Sequence, residues 1–160
     1  MPLTVHGKHF HLDGSPHFLR TVTYGPFPPE SGHSPEADFP RIREAGFDSI
    51  RVYALPDQAL LDSAAENNLL VIPTHAWGHG CDFIRENPAL LENARQDLTA
   101  FLSQHKDHPA LGALLVGNEI PSDMARWMTT VHGQKSNFQE VLNATLQVYP
   151  ELQPALASAR

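Results

Sequence analysis

Hydrophobic and polar positions change their period several times along the chain, and each change marks an element. His9-Phe10-His11-Leu12 alternates, Asp13-Gly14 interrupts it, and Pro16-His17-Phe18-Leu19-Arg20 resumes. Asp-Gly between alternating segments suits a two-residue hairpin turn, where both turn positions need positive φ. The pattern predicts an N-terminal β-hairpin. Its second arm is expected to run on through Thr21-Val22-Thr23-Tyr24 as the first core strand. Gly25-Pro26-Phe27-Pro28-Pro29 then stops it.

From Pro35 the period lengthens. Phe39, Ile42 and Ala45 recur at helical spacing, and Gly46 ends the run. Residues 47–53 read as a short strand. Asp57 is placed to cap a helix carrying Leu60, Leu61, Ala64 and Ala65. Residues 69–74 form a nearly unbroken apolar run, as in a strand buried on both faces. Pro88 opens a long helix through Leu91, Ala94, Leu98, Phe101 and Leu102, ending near His105. Residues 111–116 make another buried strand, and residues 136–148 a last helix. Residues 151–160 are alanine-rich and patternless, a tail. Strand and helix alternate four times after the hairpin. That predicts an α/β fold, with parallel strands joined by helical crossovers, in one domain over residues 1–150.

Composition adds exclusions. The 160 residues are 41% hydrophobic, enough for a real core. The 14 prolines are about 9% against a norm of about 5%, which favours many connections over a coiled coil. The net charge is −7, and the 11 Lys and Arg are scattered. Nucleic-acid binding usually needs a basic face, so no nucleic-acid partner is expected. No apolar run reaches the roughly 18 residues of a membrane helix, and the first residues lack a leader pattern. A lone Cys81 makes no internal disulfide and suits a reducing compartment. A cytoplasmic, membrane-free protein is the expectation. His75, His79 and Cys81 form a loose ligand-like cluster, and His9 and His11 share a strand face. Neither matches zinc spacings, so no metal or other cofactor is expected.

In parallel sheets with helical crossovers, functional residues gather at the carboxyl ends of the strands. Those ends hold Tyr24, then Arg51 and Tyr53, then His75 and Trp77, then Asn118 and Glu119. Aromatic faces beside hydrogen-bonding side chains suit sugar rings, which present CH faces and hydroxyl edges. An apolar strand before Glu119 would hold its carboxyl against a desolvated wall. Desolvation raises a carboxyl pKa, as a general acid needs. The bland alternatives are a helix-capping Asn-Glu pair and an Arg51 held in an interior ion pair.

Leu12-Asp13-Gly14, Leu19-Arg20, Tyr24-Gly25-Pro26-Phe27, Ile50-Arg51-Val52-Tyr53, His108-Pro109-Ala110-Leu111 and Gly117-Asn118-Glu119-Ile120-Pro121 with Arg126-Trp127 occur in that order. Together, over residues 7 to 150, they resemble the barrel domains of retaining (β/α)8 glycoside hydrolases, families 2 and 5 above all. The resemblance implies a partial TIM barrel of about four β/α units. It implies Glu119 as acid/base, Asn118 on the sugar 2-hydroxyl, and Arg51 orienting the nucleophile. Tyr24, Tyr53 and Trp77 would line the substrate wall, and the partner would be a β-linked glycoside; His75, at a strand end, reads separately as a hydrogen-bonder to the sugar.

The chain departs from that family in one respect. Retaining hydrolysis uses two carboxyl groups about 5–5.5 Å apart, and the family nucleophile is a Glu after strand seven. Here the acids after Glu119 are Asp123, Glu140 and Glu151, none in that context. A complete barrel takes about 250 residues. The chain therefore reads as the N-terminal half of a glycosidase barrel. Its complement would be a C-terminal half-barrel or a second copy in a homodimer. Two functions follow: a glycoside hydrolase whose nucleophile comes from outside this chain, or an inactive, truncated half-barrel that binds carbohydrate or serves structurally.

Overall fold

The computed structural model describes residues 3–75, 88–118, 143 and 146–148. Two three-stranded sheets organise them. The first is an antiparallel meander of β1 (Leu3–His6), β2 (His9–Leu12) and β3 (Ser15–His17). Asp13 and Gly14 turn β2 into β3 with φ of 51° and 78°. Both signs are positive, as the Asp-Gly turn requires. The expected hairpin is thus one strand larger, because Leu3–His6 pairs in register with His9–Leu12.

A second difference lies at the join. β3 ends at His17, and its arm does not run on into the core. Phe18 is 84% exposed, and the next strand, β4 (Thr21–Thr23), belongs to the other sheet. Asp48 stands where a ladder partner would be. Its Oδ1 accepts from the Arg20 backbone N–H at 2.8 Å, and its Oδ2 lies 2.9 Å from His17 Nε2. The buried carboxylate of Asp48 therefore ties the end of the meander to the start of the second sheet.

That sheet is parallel, in the order β4, β5 (Ser49–Val52), β6 (Leu70–Pro73). Helices α1 (Pro35–Glu44) and α2 (Gln58–Glu66) make the crossovers, and α3 (Pro88–His105) follows β6. Ser34 caps α1 by accepting from the Ala37 N–H, and Asp57 caps α2 by accepting from Leu60. Each cap satisfies an amide that the first helical turn leaves without a partner.

The expected strand 111–116 is present only as two parallel bridges, Val71 with Leu111 and Thr74 with Leu115. Three steps along one side match four along the other, so the second segment carries an extra residue and its ladder breaks, as at a bulge. Gly112 sits inside that irregular stretch. A Cβ there would come within 3.1 Å of the Leu70 Cβ, so the close approach to β6 depends on its missing side chain. Strand order follows chain order throughout, without the reversal that defines a doubly wound sheet.

The core lies between the parallel sheet and the helices. Phe39, Ile50, Val52, Leu61, Ala64, Leu69, Val71, Phe101, Leu102 and Ala110 form one buried cluster. Strand side chains alternate between faces. Ile50 and Val52 thus assign one face of β5 to the helices, and Ser49 and Arg51 project from the other. Register puts Thr21 and Thr23 of β4 beside Ser49 and Arg51. Ile72 pairs with Arg51, and Thr74 follows two residues on, on the same face. Residues 143 and 146–148 are helical; the rest of the last expected helix, and the tail 151–160, lie outside the described residues. Among the described residues, no helix is long and apolar enough to cross a membrane.

Candidate functional site

The carboxyl ends of the parallel strands are laced together sideways. Tyr24 N–H donates to Arg51 O at 2.9 Å, Thr74 N–H to Val52 O at 2.9 Å, and His75 N–H to Leu115 O at 2.8 Å. Residues from four separate segments therefore arrive at one rim.

Arg51 is its hub. From β5 its Nη2 donates to Asn118 Oδ1, and its Nε reaches Thr74 Oγ1 at 3.5 Å. The guanidinium also lies over the Tyr53 ring, 4.8 Å from the centroid, a cation–π distance. Among the described residues these partners are neutral, and none of them offsets the charge of the guanidinium. A planar fork held at one end and stacked on a ring is oriented before anything binds. Arg51, Tyr53 and Asn118, all singled out from sequence, meet here. Thr74 was not singled out. Its signal is parity: it lies on the Arg51 face of β6, and it is fully buried.

Tyr24 goes elsewhere. It shares a strand face with Val22, toward the helices, and packs edge-on against Phe39 of α1 at 5.0 Å and Phe27 at 4.9 Å. Its hydroxyl donates to Asp38 Oδ2 at 3.2 Å. The same oxygen lies 2.9 Å from His33 Nδ1, and the His33 ring stacks on Phe27 at 4.2 Å. Sequence reasoning did not single out this Tyr24–Asp38–His33 cluster, which pins the loop after β4 onto α1. Desolvation opposes ionisation of Asp38, but hydrogen bonds from His33 and Tyr24 outweigh it and hold the carboxyl below its ordinary value.

Burial, then the charge on Asp38, its hydrogen bond, and Glu36 push the Tyr24 phenol up to about 12. The fold thus favours the protonated phenol. The stabilisation is complete below about pH 10 and is lost as pH rises through about 12. Absorbance-monitored titration should show one of the three tyrosines ionising near pH 12, a step that Tyr24→Phe removes. Ionisation of all three near pH 10 would contradict this geometry.

His75 follows β6, and its Nε2 lies 3.3 Å from Asp97 Oδ2 of α3. Its ring is mostly buried while Asp97 is exposed. The imidazole is thus linked to the helix that follows it. Trp77 and Glu119 lie outside the described residues.

Two solved structures resemble this fold. Bifidobacterium dentium β-glucuronidase, complexed with coumarin-3-O-glucuronide, matches with a TM-score of 0.71 at 15% identity. The match covers 96% of this chain and 25% of that one. A plant β-glucan endohydrolase matches with a TM-score of 0.51, also at 15% identity, over 82% of this chain and 38% of that one. The chain has a distant glycoside hydrolase-like fold. It spans about a quarter of the length of the β-glucuronidase. No family model matches the sequence, and no curated protein matches it. At this identity the likeness is one of fold.

Proposed function

We propose that this chain forms the acid/base-bearing part of a retaining β-glycosidase barrel and binds a β-linked glycoside at the carboxyl ends of its parallel strands. The supporting observation is the Arg51–Asn118 contact. It joins two residues 67 positions apart, both expected at the rim from sequence, on a fold shared with glycosidases. In this reading β4 to β6 and the bridged segment at 111–115 are four consecutive barrel strands, and the Arg51 face is the barrel interior.

Asn118 hydrogen-bonds a ring hydroxyl, and its contact with Arg51 fixes the direction of its amide. Tyr53 and Trp77 offer ring faces to the sugar, His75 offers a hydrogen bond at the next strand end, and Tyr24 supports the rim from behind. Glu119, the next residue along from Asn118, protonates the leaving glycosidic oxygen. A second carboxylate, about 5–5.5 Å from Glu119, attacks the anomeric carbon and comes from outside the residues placed here.

Hydrolysis of a panel of aryl β-glycosides tests the proposal. Turnover is expected to fall at least ~100-fold in Glu119→Gln, the scale of a lost general acid. Turnover that survives this change removes Glu119 from the role. No turnover with glycan binding retained selects a non-catalytic carbohydrate-binding chain. Neither turnover nor binding removes the glycoside reading altogether.

A further inference from the structure

The antiparallel sheet carries chemistry that the glycoside site does not use. Its register divides β1 and β2 into two faces. Leu3, Val5, Phe10 and Leu12 share one; Thr4, His6, His9 and His11 share the other. His17, which ties the sheet to Asp48, pairs with Phe10 and so belongs to the apolar face. The histidine face is therefore the opposite one. His6 and His9 are direct register partners, and His11 lies diagonally across from His6.

The His6 and His11 ring centres are 4.6 Å apart, with planes tilted by 35°. With metal–nitrogen bonds of about 2.0–2.1 Å, two imidazoles bound at right to tetrahedral angles hold their ring centres about 4.4–5.1 Å apart. The spacing already meets that requirement. His11 Nδ1 also lies 3.3 Å from the Gly14 carbonyl oxygen. A carbonyl only accepts, so the bond is made when Nδ1 carries the proton. That tautomer leaves a lone pair on Nε2. Metal-binding histidines are oriented by this kind of bond from the second ring nitrogen to a backbone carbonyl.

We propose that His6 and His11 form a two-imidazole site for a divalent late transition metal, copper(II) most tightly, with water completing the coordination. Imidazole nitrogen suits copper, nickel and zinc, and copper leads the affinity order for such donors. Magnesium and calcium demand oxygen ligands and are excluded. Among the described residues, no group of three His, Cys, Asp or Glu side chains is set to hold a metal. His6 is exposed and His11 half-buried, so water can reach the remaining coordination positions. His9 and His11 are the pair evident in the sequence. The pairing of β1 with β2 supplies the better partner, His6, because residues two apart on one strand stand parallel, whereas the diagonal His6 ring leans onto His11 at 4.6 Å.

Titration of the full chain with copper(II) sulfate, followed through the imidazole NMR signals, tests the site. His6 and His11 are expected to broaden first, below one equivalent. His6→Ala and His11→Ala should each weaken that binding at least tenfold, because either loss abolishes the chelate, while His33→Ala leaves it unchanged. Far-UV circular dichroism establishes that the variants keep their sheet. Equal broadening of all ten histidines, first broadening elsewhere, or unchanged affinity in His6→Ala would overturn the proposal.

Discussion

Replacing Arg51 by methionine is expected to lower kcat/KM toward aryl β-glycosides at least ~100-fold, the scale on which a single oriented donor acts at a reacting centre. In a chain that binds without turning over, glycan affinity should fall instead. Methionine preserves an unbranched stem but removes every donor. The Nε contact to Thr74 is long, at 3.5 Å, so its loss costs the fold little. Asn118 is only partly buried, and water can replace the donor it loses. The consequence is therefore functional: the Asn118 amide is no longer held in one direction, and the positive charge leaves the rim. Lysine should not restore activity, because one ammonium cannot reach Thr74 and Asn118 while stacking flat on Tyr53. Activity in Arg51→Met within threefold of the parent would exclude Arg51 from the cleft. Full activity in Arg51→Lys would exclude the fork geometry as its contribution.

The elements with a strong local signal were legible in the sequence. The helix beginning at Pro88 is found with the bounds its apolar period implies, from Pro88 to His105. Asp57 caps the helix it was expected to cap. Features set by pairing were not legible. Leu3–His6 is a strand because β2 lies beside it, and its own four residues carry too little pattern to announce that. The arm through Phe18 reads as continuous because alternation persists, yet the chain leaves one sheet at His17 and enters the other at Thr21, a break that alternation does not mark. Residues 111–116 read as a strand, but the extra residue between the two bridges appears only when β6 is placed beside them.

The rim shows the same division. Position after a strand singled out Tyr24 and Arg51 alike, yet it is silent about which face each occupies. Val22 packs against the core, so Tyr24, two residues later, faces the helices. Ile50 faces the core, so Arg51, one residue later, does not. Asp48 carried no recognisable signal at all, because a single acid at the edge of a short strand resembles a solvated charge until the meander is folded against it.

Asp48→Ala is accordingly expected to destabilise the fold by about 2–4 kcal/mol, from a stability that is typically 5–15 kcal/mol. Its carboxylate is buried and serves four groups. Oδ1 accepts from the Arg20 amide at 2.8 Å and from the Ser49 hydroxyl at 3.3 Å. Oδ2 lies 2.9 Å from His17 Nε2 and 3.6 Å from Arg20 Nε. Alanine leaves the Arg20 amide without its acceptor, and an unsatisfied donor loses its desolvation cost in full. It also severs the tie from β3 to β5. The His17 and Arg20 side chains contribute less to the loss, since both retain access to water. Asparagine keeps an oxygen at Oδ1 and should recover about half of the lost stability. For a chain of this size, each kcal/mol moves Tm by about 2–4 °C. Asp48→Ala should therefore melt roughly 5–15 °C below the parent, with Asp48→Asn between them. Hydrogen exchange should rise first in β1–β3, since the meander loses its anchor while the parallel core keeps its own packing. A melting temperature within 1–2 °C of the parent, on the order of the loss of a mere surface charge, would show that the two sheets are held together by other contacts.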